Sequence, residues 1–173
     1  GGGKSTLVCR IILGLARQRR RITVGAWEMQ SGPTLELLAT MALGYGRTAV
    51  LTGQITKDER RKLISTMEKI GEFVTFVKPP FVGKRTRPPI HDILDVMHGL
   101  ILDTRADIFV GDLWRRAFRT MNPAEEEAAL NHQQQIAQET GAHCVLVQQQ
   151  RLKDIEKRDD KRPTREGIKG SSA

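Results

Sequence analysis

The chain has 173 residues, 28% of them charged and 39% hydrophobic, which excludes a disordered polymer and a membrane-embedded bundle and leaves room for one domain with a real core. Its 28 Lys and Arg outnumber 20 Asp and Glu, a formal net charge of +8, so a polyanionic partner is favoured over an acidic surface. No apolar stretch approaches the length of a bilayer span and no signal peptide is visible, which points to a cytoplasmic protein without a membrane partner.

The chain opens on Gly1-Gly2-Gly3-Lys4-Ser5-Thr6, the back half of a phosphate-binding loop of the pattern G-x-x-x-x-G-K-[ST]. Three successive glycines arise by chance at a given start roughly once in 3,000 trials. Glycines let consecutive backbone N–H groups face phosphate oxygens with no Cβ in the way, and the helix that follows adds the positive end of its dipole. Gly1, Gly2, Gly3, Lys4, Ser5 and Thr6 are therefore the expected nucleotide-binding residues. Lys4 would place a point charge on the β and γ phosphates, and Ser5 would be a ligand of Mg²⁺. The first glycine of the pattern and the strand that feeds the loop are expected upstream of Gly1. The competing reading, a flexible glycine leader, is opposed by the helical spacing of Leu7, Ile11, Ile12, Leu15 and Ala16 immediately afterwards.

A helix is expected over 4–20, closing on the basic run Arg17, Arg19, Arg20 and Arg21, which reads as a solvated last turn favoured by the helix dipole. Ile22 to Trp27 is a strand that delivers Glu28 to the edge where α/β sheets bind ligands. Leu35 to Leu43 is an apolar helix with Ser31 or Thr34 as N-cap and Gly44 as stop. Thr56-Lys57-Asp58-Glu59 fits a capping box ahead of Leu63, Ile64, Met67 and Ile70 at helical spacing. Phe73 to Val77 is a strand, and Lys78 to Pro89, with four prolines, is a loop. Ile90 to Asp103 returns to helix, with His91 and His98 as ordinary surface polar residues.

Asp107 to Asp112 is an apolar strand closing on a carboxylate, the form of a Walker B strand, and Asp112 is the second expected Mg²⁺ residue. Asn122-Pro123 followed by Glu125, Glu126 and Glu127 is a helix start, with the acids assigned to the dipole. That helix runs to about Thr140 and stops at Gly141. His143 to Val147 is a further strand, leading to Gln148, Gln149 and Gln150, one of which is placed to read a γ-phosphate. Cys9 and Cys144 sit in apolar runs without metal-ligand spacing and read as small buried hydrophobes of a reducing compartment. From Arg151 onward the composition turns charged, either a solvated linker or a nucleic-acid-binding loop.

Strands alternating with helices predict an α/β fold with a mostly parallel twisted sheet. At the level of motifs the chain resembles the RecA-like motor domain of DnaB-type hexameric replicative helicases of superfamily 4. The resemblance rests on Gly3-Lys4-Ser5-Thr6, on Ala26-Trp27-Glu28-Met29-Gln30-Ser31, on Leu51-Thr52-Gly53-Gln54-Ile55-Thr56, and on Asp107 to Asp112. Gln148 to Arg151, Asp160-Lys161-Arg162-Pro163 and Ile168 to Ala173 complete it, and these last are the most specific because a generic P-loop protein has no reason to carry them.

The resemblance implies a single RecA-like P-loop NTPase domain over 1–173, truncated at both ends, with 151–173 as its basic loop region. It implies ATP and Mg²⁺ as cofactors, Glu28 as the base that activates water, and Gln148 as the γ-phosphate sensor, chosen for its spacing to Arg151. It implies single-stranded DNA as partner, held by Arg115, Arg116, Arg151, Lys161, Arg162 and Lys169, and a homo-oligomer of hexameric type whose arginine finger lies beyond Ala173. The implied activity is an ATP-dependent DNA helicase of replication. Leu113-Trp114-Arg115-Arg116 departs from the tyrosine and leucines usual in the family after the Walker B aspartate. A recombinase-like or KaiC-like ATPase and a P-loop small-molecule kinase are the alternatives. A non-hydrolysing switch is opposed by Glu28, and an ABC-type ATPase by the absence of the Leu-Ser-Gly-Gly signature.

Overall fold

The computed structural model describes residues 3–26, 30–78, 89–112 and 123–147. Within them the chain alternates helix and strand: α1 (Lys4–Arg17), β1 (Ile22–Ala26), α2 (Ser31–Leu43), α3 (Arg47–Leu51), α4 (Lys57–Gly71), β2 (Val74–Val77), α5 (Ile90–Asp103), β3 (Ile108–Asp112), α6 (Pro123–Thr140) and β4 (His143–Val147). The four strands form one parallel sheet in the order β2-β1-β3-β4. The strands are short and apolar on both faces, as parallel strands covered by helices on each side must be.

Alternation along each strand divides the core into two. Ile22 and Val24 of β1, Ile108 and Val110 of β3, and Val145 and Val147 of β4 pack with α1, α2 and α4, around Ile12 and Leu38, both fully buried. Phe109, Cys144 and Leu146 point to the other face, where Ile93, Leu94, Met97 and Ile101 of α5 meet Ala129 and Ile136 of α6. The period of two in the strands thus sorts the helices into two layers. The buried polar residue of β1, Thr23, is satisfied by a 2.6 Å hydrogen bond to Thr104, whose hydroxyl also donates to Leu100 O.

Local chemistry sets most of the helix ends. Thr56 accepts the Glu59 N–H at 3.2 Å while the Glu59 carboxylate accepts the Thr56 N–H at 2.7 Å, so the expected capping box closes in both directions. Gly44 and Gly141 end α2 and α6 in the left-handed conformation, as expected from their positions. Three details differ from the sequence reading. The first helix stops at Arg17, three residues early. α2 begins at Ser31 with Gln30 as its N-cap, because Pro33 fits a first helical turn, where no N–H is needed, and Thr34 Oγ1 bonds back to Gln30 O at 2.9 Å instead of capping. Of the acidic triplet in α6, Glu125 and Glu127 are exposed, but Glu126 is buried and belongs to the inner face with Ala129, Gln133 and Ile136. Trp27 and Asn122, expected as the last strand residue and an N-cap, lie outside the described residues.

Candidate phosphate-binding site

The first turn of α1 is built to receive an anion. Gly3 is its N-cap, in the left-handed conformation at φ 71°, ψ 5°, which a side chain would strain. Its carbonyl accepts the Leu7 N–H at 2.9 Å, so the N–H groups of Lys4, Ser5 and Thr6 have no acceptor inside the helix. No side chain caps the turn and no acid stands within it, in contrast to α4, whose first turn carries Asp58 and Glu59. The positive end of the α1 dipole is therefore left for something other than a local carboxylate. Lys4 and Ser5 are half-buried and Thr6 is exposed.

β3 brings the carboxylate. Asp112 is the last residue of the strand, half-buried, and lies in register with Ala26 on one side and Val147 on the other. Its negative charge reaches α1: the Cys9 thiol is raised from the ordinary 9.0 to about 11, first by burial and then by Asp112, with Arg47 acting in the lowering direction. Asp112 thus stands within electrostatic reach of the same helix whose first turn holds Lys4 and Ser5. Arg47, the first residue of α3, adds a cation near this helix. Sequence patterns do not mark it, because α3 has only five residues, too few to show a helical period.

The sheet order explains why these parts meet. The chain runs from β1 outward to β2 and then returns to the other side of β1 for β3, so the strand order reverses between β1 and β3. Ligands of open α/β sheets bind outside the carboxyl ends of the strands at such a reversal. Ala26 and Asp112 are the strand ends that flank it, and the next residues of the chain after Ala26 lead to Glu28.

Of the expected site residues, Gly3, Lys4, Ser5, Thr6 and Asp112 belong to this arrangement. Gly1, Gly2, Glu28, Gln148, Arg115, Arg116, Arg151, Lys161, Arg162 and Lys169 lie outside the described residues. Ser5 and Asp112 fit Mg²⁺ by donor chemistry, because this ion takes one or two protein oxygens and completes its shell with phosphate and water. No cluster of three or more His, Cys, Asp or Glu that would cage a metal occurs among the described residues. Cys9 and Cys144 are free, the first buried and the second half-buried with Gln133 Nε2 donating to its sulfur at 3.1 Å. No helix among the described residues is long and apolar enough to cross a membrane.

No family model matches the chain, and no curated protein sequence does either. Among solved structures it is similar to the ATPase domain of a DnaB-like helicase, with a TM-score of 0.74 over 96% of the chain at 12% identity. The chain spans 59% of that structure's length. A likeness at this identity is one of fold, and with the parallel sheet and the α1 turn it establishes an α/β fold of the P-loop NTPase type.

Proposed function

We propose that the chain is the motor domain of a DnaB-type replicative helicase, which hydrolyses ATP with Mg²⁺ to drive movement along single-stranded DNA as a cytoplasmic homo-oligomer of hexameric type. The observation that carries the reading is the rung formed by Ala26, Asp112 and Val147, which gathers three strand ends at one edge of the sheet while α1 opens its uncapped turn with Gly3, Lys4 and Ser5. In sequence these three ends lead to Glu28, to Leu113 and to Gln148, so the base, the Mg²⁺ residue and the sensor of the resemblance fall at or just after neighbouring positions of one rung.

The chemistry asked of these residues is mainly positioning and charge stabilisation. Lys4 and the N–H groups of the α1 turn neutralise phosphate charge. Ser5 and Asp112 would hold Mg²⁺, which supplies further neutralisation of the phosphates when bound. Glu28 orients and deprotonates water, and Gln148 reports the γ-phosphate. Arg115, Arg116, Arg151, Lys161, Arg162 and Lys169 would hold the DNA backbone.

The test is ATP hydrolysis with and without single-stranded DNA, across a salt series, beside Lys4→Ala. Removing one charge-stabilising donor costs on the order of 10²-fold or more in rate, so Lys4→Ala should be nearly inactive. DNA should raise the parent's rate several-fold and lose this effect as salt increases. Hydrolysis that depends on Lys4 but ignores DNA at every salt would refute the helicase reading and leave a signalling or recombination ATPase.

A further inference from the structure

Five helices of the described residues are followed by a residue in the left-handed conformation. After α2, α3 and α6 that residue is a glycine, Gly44, Gly53 and Gly141. After α1 and α5 it is an arginine: Arg19 has φ 57° and Arg105 has φ 48°. Both arginines close a turn with two backbone bonds onto the end of the helix, Arg19 N to Ala16 O at 2.9 Å and Arg20 N to Leu15 O at 3.2 Å, then Arg105 N to Leu102 O and Ala106 N to Ile101 O, each at 3.0 Å. This position favours glycine, and sometimes asparagine, because a Cβ crowds the backbone. The helix dipole does not explain the choice, since it welcomes a cation anywhere in the last turn and Arg17 already stands in that of α1.

The two arginine turns are neighbours. Arg19 and Arg105 each precede their strand by three residues, and the strands start in register at Ile22 and Ile108. Arg21 O accepts from Asp107 N at 2.8 Å and Ile108 N at 3.1 Å, and Arg21 N donates to Asp107 Oδ2 at 2.8 Å, which ties one turn to the other. Arg17, Arg19, Arg20, Arg21 and Arg105 are all exposed. Among the described residues only Arg21 of these is in an ion pair, a loose one with Asp107 at 3.9 Å. Asp103 and Glu72 are the exposed acids nearest in sequence to these turns, so the cations stay in excess. The patch is made of arginine without lysine, and the planar guanidinium fork matches phosphate oxygens in pairs. It sits at the amino ends of the strands, about 20 Å from Lys4 along the 14 residues of α1.

From these observations the geometry points to a second anion surface, formed by Arg17, Arg19, Arg20, Arg21 and Arg105 at the amino edge of the sheet, that binds the phosphate backbone of single-stranded nucleic acid. It is separate from the nucleotide site and from the DNA-binding residues proposed above, and it does not depend on ATP hydrolysis.

The experiment is fluorescence anisotropy of a labelled single-stranded oligonucleotide, without nucleotide, across a salt series, for the parent, Arg19→Gly/Arg105→Gly and Arg19→Lys/Arg105→Lys, with Tm measured for each. The glycine variant should bind several-fold more weakly, and the slope of log affinity against log salt should shrink by about 1.4, two single-strand phosphate contacts at about 0.7 each. Its Tm should equal or exceed the parent's, because glycine relieves the left-handed turns. The lysine variant should keep most of the affinity. Unchanged affinity and slope in the glycine variant would overturn the proposal. So would weaker binding accompanied by a lower Tm, which would make these arginines supports of the turns instead of ligands.

Discussion

Cys9 lies in α1 between the phosphate-binding turn and the core, 2% exposed, and its thiol reports on the charge around it. Burial first and Asp112 second raise its pKa from 9.0 to about 11. A thiol whose folded pKa lies above its unfolded one adds stability that is complete below pH 9 and is lost as pH rises through about 11, because only the unfolded chain ionises it freely. That gap corresponds to about 2 to 3 kcal/mol. The perturbation is Cys9→Ala, which removes the titrating group and adds a small, pH-independent packing loss. The stability difference between the two proteins should change by about 2 to 3 kcal/mol between about pH 8 and about pH 11.5, as read by urea unfolding. The sign follows from the unfolded chain: once its thiolate forms freely at high pH, Cys9 favours unfolding, so the parent loses ground to the variant. Other titrating groups, Tyr45 and the lysines, are common to both proteins and cancel. Asp112→Asn should lower the folded thiol's pKa, since the second cause of the shift is gone, and so reduce the pH-dependent part of the difference. A stability difference that stays constant with pH would refute the account of Cys9, and an unchanged profile in Asp112→Asn would remove Asp112 from the neighbourhood of α1.

Two further outcomes test the scaffold. Thr56→Ala should lower stability by about 1 kcal/mol, read as a lower urea midpoint at unchanged m-value, because it deletes the acceptor for the Glu59 N–H in α4. Glu59 is held below the usual carboxylate range first by the Thr56 N–H and then by its hydroxyl, so its contribution is present above the unfolded carboxyl pKa and lost as pH falls through the folded one, and the gap between parent and variant should narrow in acid. Gln133 is 2% exposed and its Oε1 has no hydrogen-bond partner, at the wall of a cleft of about 450 Å³ between α6 and β4. Gln133→Met keeps the volume and removes the orphaned acceptor, so thermal unfolding should show a Tm equal to or above the parent's; a loss beyond about 2 kcal/mol would mean that the carbonyl is satisfied in solution.

What could be read from the sequence was local. The capping box at Thr56 and Glu59, the stops at Gly44 and Gly141, and the apolar strand ending in Asp112 depend on residues a few positions apart, and each appears where its pattern places it. The phosphate-binding turn was legible for the same reason, since Gly3, Lys4 and Ser5 are consecutive. α3 was not, because five residues carry no period. The inner face of α6 was hidden by its composition: Glu126 and Gln133 are buried polar residues in a stripe with Ala129 and Ile136, so hydrophobic spacing does not mark it. The strand order, and with it the rung of Ala26, Asp112 and Val147, is a non-local pairing that no window of sequence contains. The arginine turns are invisible to sequence rules, which look for glycine at that position, and Arg19 and Arg105 break the rule.

The parallel sheet gives its two edges different chemistry. At the carboxyl edge β3 ends in Asp112, a carboxylate that calls for a cation, beside the open turn of α1 that calls for an anion. At the amino edge β1 and β3 start from arginine-rich turns tied together through Arg21 and Asp107. The strands between them have five residues each, about 17 Å, which is twice the screening length of roughly 8 Å at physiological salt. Direct electrostatic influence of one edge on the other is therefore weak. Any effect of an anion at the arginines on phosphate binding at α1 has to pass through the rigid elements they share, α1 itself and the paired strands β1 and β3. These elements also supply some of the most deeply buried side chains of the core, with Ile12, Val24, Phe109 and Val110 at 2% exposure or less. Such packing resists gradual deformation, so it transmits a displacement as a shift of the whole helix or strand or does not transmit it at all.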